Sequence, residues 1–247
     1  MFLTTDALVL REVRYKEADR ILTLITSTDG KLTAKARGAL RKSSRTAAAT
    51  QQLTYAELTL FGNKGKWTVN EAVIKEDFVG LRSDMESFAL GCYMAECLEA
   101  LSVEDQPDAA LLQLGLNSLY ALSRGLYPPE LIKAAFELRL MCLAGYEPEL
   151  GGCAVCGKTE PDDPVLSLRH GLICCRSCRH ELGETASLCE GSLAAMRYIR
   201  TADARRLFSF SLSPEALSHL VSAAERYLLC QTERGFSTLD YWKKIKI

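Results

Sequence analysis

The sequence predicts an α+β chain, with an N-terminal five-stranded OB-like β-barrel followed by an α-helical domain that carries a four-cysteine insertion. Three observations predict it. Strand-like runs with period-2 alternation fill the first 75 or so residues, with turn signals between them. From Ser83 the apolar spacing becomes helical. Two Cys-x-x-Cys pairs, Cys153/Cys156 and Cys175/Cys178, then stand 18 residues apart. The expected division is a barrel over 1–80 and a helical domain over 81–247, with the cysteine segment at 150–182.

Ala7-Leu8-Val9-Leu10 and Ile21 to Thr26 are short apolar runs rich in strand formers. Asp29-Gly30 marks a hairpin turn. Lys31 to Arg37 alternates, with Leu32, Ala34 and Ala36 on one face and Lys31, Thr33, Lys35 and Arg37 on the other. That pattern is a half-buried strand with a basic wet face. Gly38 to Thr50 is small and basic and reads as a mobile loop. Leu53 to Phe61 and Lys66 to Ile74 form a second hairpin around Gly62-Asn63-Lys64-Gly65. Five strands without an intervening helix close most naturally into a small barrel, OB-type before SH3-like.

Ser83-Asp84-Met85-Glu86 reads as a capping box opening a helix to about Ser102. Pro107-Asp108 opens a second, to about Arg124, and Pro128-Pro129 a third, ending at Gly145. A short helix is expected over Ser192 to Arg200, and a last one from Ser213-Pro214-Glu215 to about Gly235. The tail, Tyr241 to Ile247, reads as a frayed solubilising end. Cys92, Cys97, Cys142 and Cys230 lie in apolar helical contexts and read as core residues.

The cysteine pairs point to a closed tetrahedral zinc site of structural type, with Cys153, Cys156, Cys175 and Cys178 as ligands. Cys174 competes with Cys175 for the third place, and Cys175 is chosen because it restores the x-x spacing to Cys178. His170 and His180 are fallback ligands. Disulfides are disfavoured, because the N-terminus lacks a basic region ahead of an apolar one. A thioredoxin-like motif needs a single pair. No apolar run reaches membrane-spanning length, and a cytoplasmic chain is expected.

The net charge of −1 conceals an asymmetry. Residues 1–80 hold 13 Lys+Arg against 9 Asp+Glu, and Gly30 to Ala56 holds six cations and no acid. A local positive face on a near-neutral chain suggests an anionic partner, with DNA the first candidate. The leading phosphate ligands are Arg37, Arg41, Lys42 and Arg45, then Lys31, Lys35, Lys64 and Lys66, with Arg14, Lys16 and Arg20 weaker. Tyr15, Tyr55, Phe61 and Trp67 have the shape to stack on bases, but strand aromatics more often belong to a core. Catalytic signatures are missing. Gly62 to Trp67 fails as a P-loop, because Leu60 stands where Gly is required and Trp67 follows Lys66 in place of Ser or Thr. The non-enzymatic alternative is an interaction scaffold whose basic barrel binds an acidic protein.

Several stretches resemble the bacterial recombination-mediator family RecO. They are Tyr15-Lys16-Glu17-Ala18-Asp19-Arg20-Ile21-Leu22-Thr23, Gly30-Lys31 with Ala36-Arg37-Gly38 and Ser43-Ser44-Arg45, Phe136-Glu137-Leu138-Arg139-Leu140, and Gly145-Tyr146-Glu147-Pro148-Glu149-Leu150. The resemblance spans nearly the whole chain. It implies a nucleoid-associated, non-enzymatic protein of double-strand break and gap repair that binds single- and double-stranded DNA and anneals complementary strands. It further implies work with RecR, contact with the acidic C-terminal tail of single-stranded DNA-binding protein during RecA loading, and an apolar, basic-rimmed pocket for that tail in the helical part.

Overall fold

The structure, a computed structural model, describes residues 1–246 apart from the side chain of Glu181. Strands β1 (Phe2–Tyr15), β2 (Asp19–Thr26), β3 (Lys31–Ala36), β4 (Tyr55–Asn63) and β5 (Lys66–Glu76) close into a barrel of order β1-β2-β3-β5-β4. β1 makes closure possible. Its first half pairs with β4 (Phe2↔Phe61 to Leu8↔Tyr55) and its second half with β2 (Ala7↔Thr26 to Tyr15↔Asp19), with a register shift between Val9 and Arg11. β3 joins β5 in parallel through Ala34↔Trp67 and Lys35↔Thr68. The alternation seen in β3 places Leu32, Ala34 and Ala36 in the barrel core, among Val9, Leu22, Leu24, Leu58 and Leu60. Gly30 adopts φ +66 at the β2–β3 turn, where a Cβ would lie 2.5 Å from the Gln106 carbonyl oxygen.

The chain divides into two compact units, Met1–Arg124 with Phe236–Ile247, and Gly125–Gly235. In the first unit the barrel is joined by α1 (Val79–Ser83), α2 (Met85–Leu101), α3 (Ala109–Ser123) and α7 (Ser237–Ile245). The second holds α4 (Pro129–Leu143), a small sheet of β6 (Pro164–Ser167), β7 (Ile173–Cys175) and β8 (Thr185–Ser187), then α5 (Glu190–Thr201) and α6 (Pro214–Thr232).

Four local expectations are corrected. Asp84, not Ser83, caps α2, its carboxylate accepting from the Ser87 amide at 2.8 Å. Ser83 belongs to α1 and donates to the Gly80 carbonyl. β4 starts at Tyr55 because Leu53 sits at φ +61, outside extended geometry. The expected mobile loop is a run of tight turns pinned to the barrel. The Leu40 amide donates to the Ala18 carbonyl, the Arg20 guanidinium donates to the Ala47 carbonyl at 2.7 Å, and Ala39 and Ala49 are buried in the barrel core. The tail is no frayed end. Residues to Ile245 form α7, with Leu239 and Trp242 buried, and Phe236 meets Tyr93 of α2 edge-on at 5.7 Å. Thr238 donates from its amide to the Glu96 carboxylate at 3.2 Å. Ile247 lies outside the described residues. Of the four helical cysteines, Cys97 is buried, while Cys92, Cys142 and Cys230 are partly exposed.

Candidate nucleic-acid interface and metal centre

One cleft of about 580 Å³ opens on the barrel beside the β3–β5 seam. Tyr15, Lys35, Arg37, Phe61, Asn63, Lys66 and Trp67 are among its lining residues, and no carboxylate is. The β4–β5 hairpin shapes one wall. Gly62 stands opposite Trp67, and a Cβ there would fall 2.7 Å from the indole, so only glycine lets the ring lie across the neighbouring strand.

The candidate phosphate ligands separate by what they touch. Lys31 is turned away, its ammonium donating to the Glu99 carbonyl at 3.0 Å, beside the two-pronged Arg11–Glu99 salt bridge. Lys35 lines the cleft but pairs with Asp19 at 2.8 Å and lies 4.9 Å over the Tyr15 ring. The Lys35 ammonium, with help from the Gly38 amide, holds the Asp19 carboxyl below its usual range. Lys35 thus neutralises the acid that would otherwise repel an anion at this edge. Arg20 pairs with Glu12 at 3.2 Å and anchors the turns. Arg14 and Lys16 are exposed beside Tyr15. Arg37, Arg41, Lys42, Arg45, Lys64 and Lys66 are all exposed. Among the described residues, none of these six forms a salt bridge. Arg41 returns toward the strand end, its Cδ 3.5 Å from where a Gly38 Cβ would be. Tyr55 is absent from the cleft lining, and Asp6 neighbours its hydroxyl. Three of the four aromatics singled out from the sequence, Tyr15, Phe61 and Trp67, line the cleft, although their composition alone left open whether they belong to a core. The available signal is glycine facing tryptophan across a hairpin.

In the second unit, the sulfurs of Cys153, Cys156, Cys175 and Cys178 lie within 4.8 Å of one another. Cys153 and Cys156 sit on a tight turn in which the Gly157 amide donates to the Cys153 carbonyl and the Cys153 amide to the Lys158 carbonyl. Cys175 ends β7 and Cys178 follows on a 3-10 turn over Arg176–Glu181. Cys174 is one position earlier in β7 and outside the sulfur cluster, as expected where successive side chains leave a strand on opposite faces. His170 and His180 are exposed and also outside it.

The donor set suits a soft divalent ion. A tetrahedron with metal–sulfur bonds of about 2.3 Å has edges of about 3.8 Å, and the Cys156 and Cys175 sulfurs are 3.9 Å apart. The Cys153 sulfur accepts from the Cys156 and Cys175 amides at 3.5 and 3.4 Å. Burial opposes its ionisation, yet those amides bring the thiol down to about 6. Burial and the neighbouring sulfurs push the Cys175 thiol up to about 11. A Cys175 thiol held that high does not ionise unaided at neutral pH, and a cation supplies the charge that lets it.

Family models match both parts of the chain. The family model described as Recombination protein O N terminal matches residues 1–78, and that described as Recombination protein O C terminal matches residues 82–240. A protein of Acetivibrio thermocellus named DNA repair protein RecO is 36% identical over 245 residues, covering 99% of this chain and 97% of that protein. One of the same name from Heliobacterium modesticaldum is 37% identical over 243 residues, covering 95% and 88%. Another from Symbiobacterium thermophilum is 32% identical, covering 96% and 94%. The barrel, the four-cysteine centre and these full-length similarities lead to one conclusion: the chain belongs to the RecO family of DNA repair proteins.

Proposed function

We propose that this protein is a recombination mediator whose barrel, residues 1–80, binds DNA through its cleft and the adjoining turns. The observation that carries this reading is an acid-free cleft lined by Arg37 and Lys66, neither in a salt bridge among the described residues, with exposed Arg41, Lys42, Arg45 and Lys64 close by in the chain. Arg37, Arg41, Lys42 and Arg45, with Lys64 and Lys66 across the cleft, neutralise phosphates. Lys35 contributes by cancelling Asp19. Contacts to phosphate position a strand without reading its sequence, so binding is largely sequence-independent. Two strands whose phosphates are neutralised repel each other less, which favours annealing.

The helical part, residues 81–247, carries zinc held by Cys153, Cys156, Cys175 and Cys178. Four thiolates leave no open position, so the ion supplies folding energy and no chemistry. On the same reading the protein catalyses no covalent step. It acts with RecR and with the C-terminal tail of single-stranded DNA-binding protein to help place recombinase on coated strands. Among the described residues, no helix is long and apolar enough to cross a membrane. The test is a strand-annealing assay with complementary oligonucleotides, bare and coated with single-stranded DNA-binding protein. Annealing should accelerate in both cases, without nucleotide. No acceleration on either substrate, together with salt-insensitive DNA binding, would instead favour a scaffold for an acidic protein.

A further inference from the structure

Three aromatic rings line the cleft, and two of them are open to solvent. Tyr15 is 43% exposed and Phe61 39% exposed, and of the exposed apolar side chains on the barrel these two line the cleft. Both are held in place by neighbours. Lys35 and Lys16 sit 4.9 and 5.6 Å over the Tyr15 ring, and Phe2 packs on Phe61 with ring centres 5.2 Å apart. Trp67, fixed across Gly62 and packed on the barrel core, adds a third, half-buried surface. A pre-set ring loses little conformational freedom when a flat partner stacks on it.

The surroundings identify that partner. Arg37 and Lys66 flank the rings, Asn63 adds an amide able to donate and accept, and the lining has no carboxylate. Flat π-faces bordered by cations suit a ligand of flat, uncharged units on an anionic backbone, which describes unpaired nucleotides. A duplex hides its base faces in the stack and offers only phosphates and groove edges.

We propose that Tyr15 and Phe61 stack on unpaired bases in this cleft, with Trp67 as its wall, so that the rings select single strands while the cations set overall affinity. This deepens the DNA-binding reading above and rests on it. The chain has two tryptophans, and Trp242 is buried in α7, so a fluorescence change on saturation reports chiefly on Trp67.

The experiment titrates oligodeoxythymidylate and a blunt duplex into wild type, Tyr15→Leu/Phe61→Leu, and the ring-keeping pair Tyr15→Phe/Phe61→Tyr, each checked for an unchanged melting curve. Stacking of about 1–3 kcal/mol per base corresponds to roughly 5–150-fold. The leucine pair should therefore lose at least about tenfold in single-strand affinity and under about twofold for duplex, with its single-strand salt slope unchanged. The ring-keeping pair should bind like wild type, and the single strand should quench Trp67. Equal losses on both substrates, or full single-strand affinity in the leucine pair, would overturn the stacking while leaving DNA binding intact. No binding by wild type to either substrate would overturn the DNA-binding reading itself and the stacking with it.

Discussion

Changing Cys153 to serine should release the metal and unfold the segment from about 150 to 182. The little sheet beside it has strands of 4, 3 and 3 residues, and only Val165, Cys174 and Leu182 form the buried cluster around the sulfurs. So small a core does not stabilise itself. Structural zinc contributes on the order of 10–16 kcal/mol in zinc-finger peptides at neutral pH, and losing one of four thiolates forfeits much of it. Cys153 is the most damaging choice, because its sulfur also collects the Cys156 and Cys175 amides. Elemental analysis should fall from about one zinc per chain to well below one, with loss of solubility. Cys174→Ala is the control. It removes a buried sulfur outside the cluster, so zinc should stay and only about 1–2 kcal/mol of packing be lost. Wild type purified without chelator and free of metal would contradict this account of the segment.

The second large effect lies on α4. Lys133 is fully buried, with its ammonium 2.7 Å from Glu137 and 2.8 Å from Glu225 of α6. Burial alone would lower the Lys133 pKa, but the two carboxylates outweigh it and raise it above 10.5. Lys133→Met should therefore destabilise by about 3–5 kcal/mol, because it leaves Glu137 buried beside a second carboxylate without their shared cation. The signs with pH are specific. In wild type the raised Lys133 pKa contributes stability below the unfolded lysine value, lost as pH climbs through the folded one. In the variant the buried carboxylates lose this cation, which disfavours their charged form, so a penalty is present at neutral pH. That penalty shrinks as pH falls toward about 4. Denaturant melts at two pH values measure it. A deficit independent of pH between 7 and 4 would assign the loss to packing instead.

The barrel was legible because its strands alternate and their turns are marked. β3 shows this best, its buried Leu32, Ala34 and Ala36 following directly from period 2. The cysteine cluster was legible because ligand spacing is a local constraint. What escaped depends on neighbours distant in sequence. α7 is nine residues with Phe236 before it and no side-chain cap, and only packing on α2 makes a helix of it. The turns after β3 contain no regular period, and their order comes from Arg20 and the Ala18 carbonyl. Equal-looking lysines on β3 diverge for the same reason. Lys31 meets Glu99, 68 positions away, and Lys35 meets Asp19 across the β2 edge.

If the cations beside the cleft neutralise phosphate, the affinity for DNA depends on salt through them. Arg37, Arg41, Lys42 and Arg45 changed together to glutamine remove four exposed charges without touching the barrel core, the α2 contacts or the metal centre. The slope of log K against log salt for a single strand should fall by up to about 2.8, at about 0.7 per phosphate. Zinc content and helical signal should stay as in wild type. A folded quadruple variant with wild-type affinity and wild-type slope would show that DNA does not bind there.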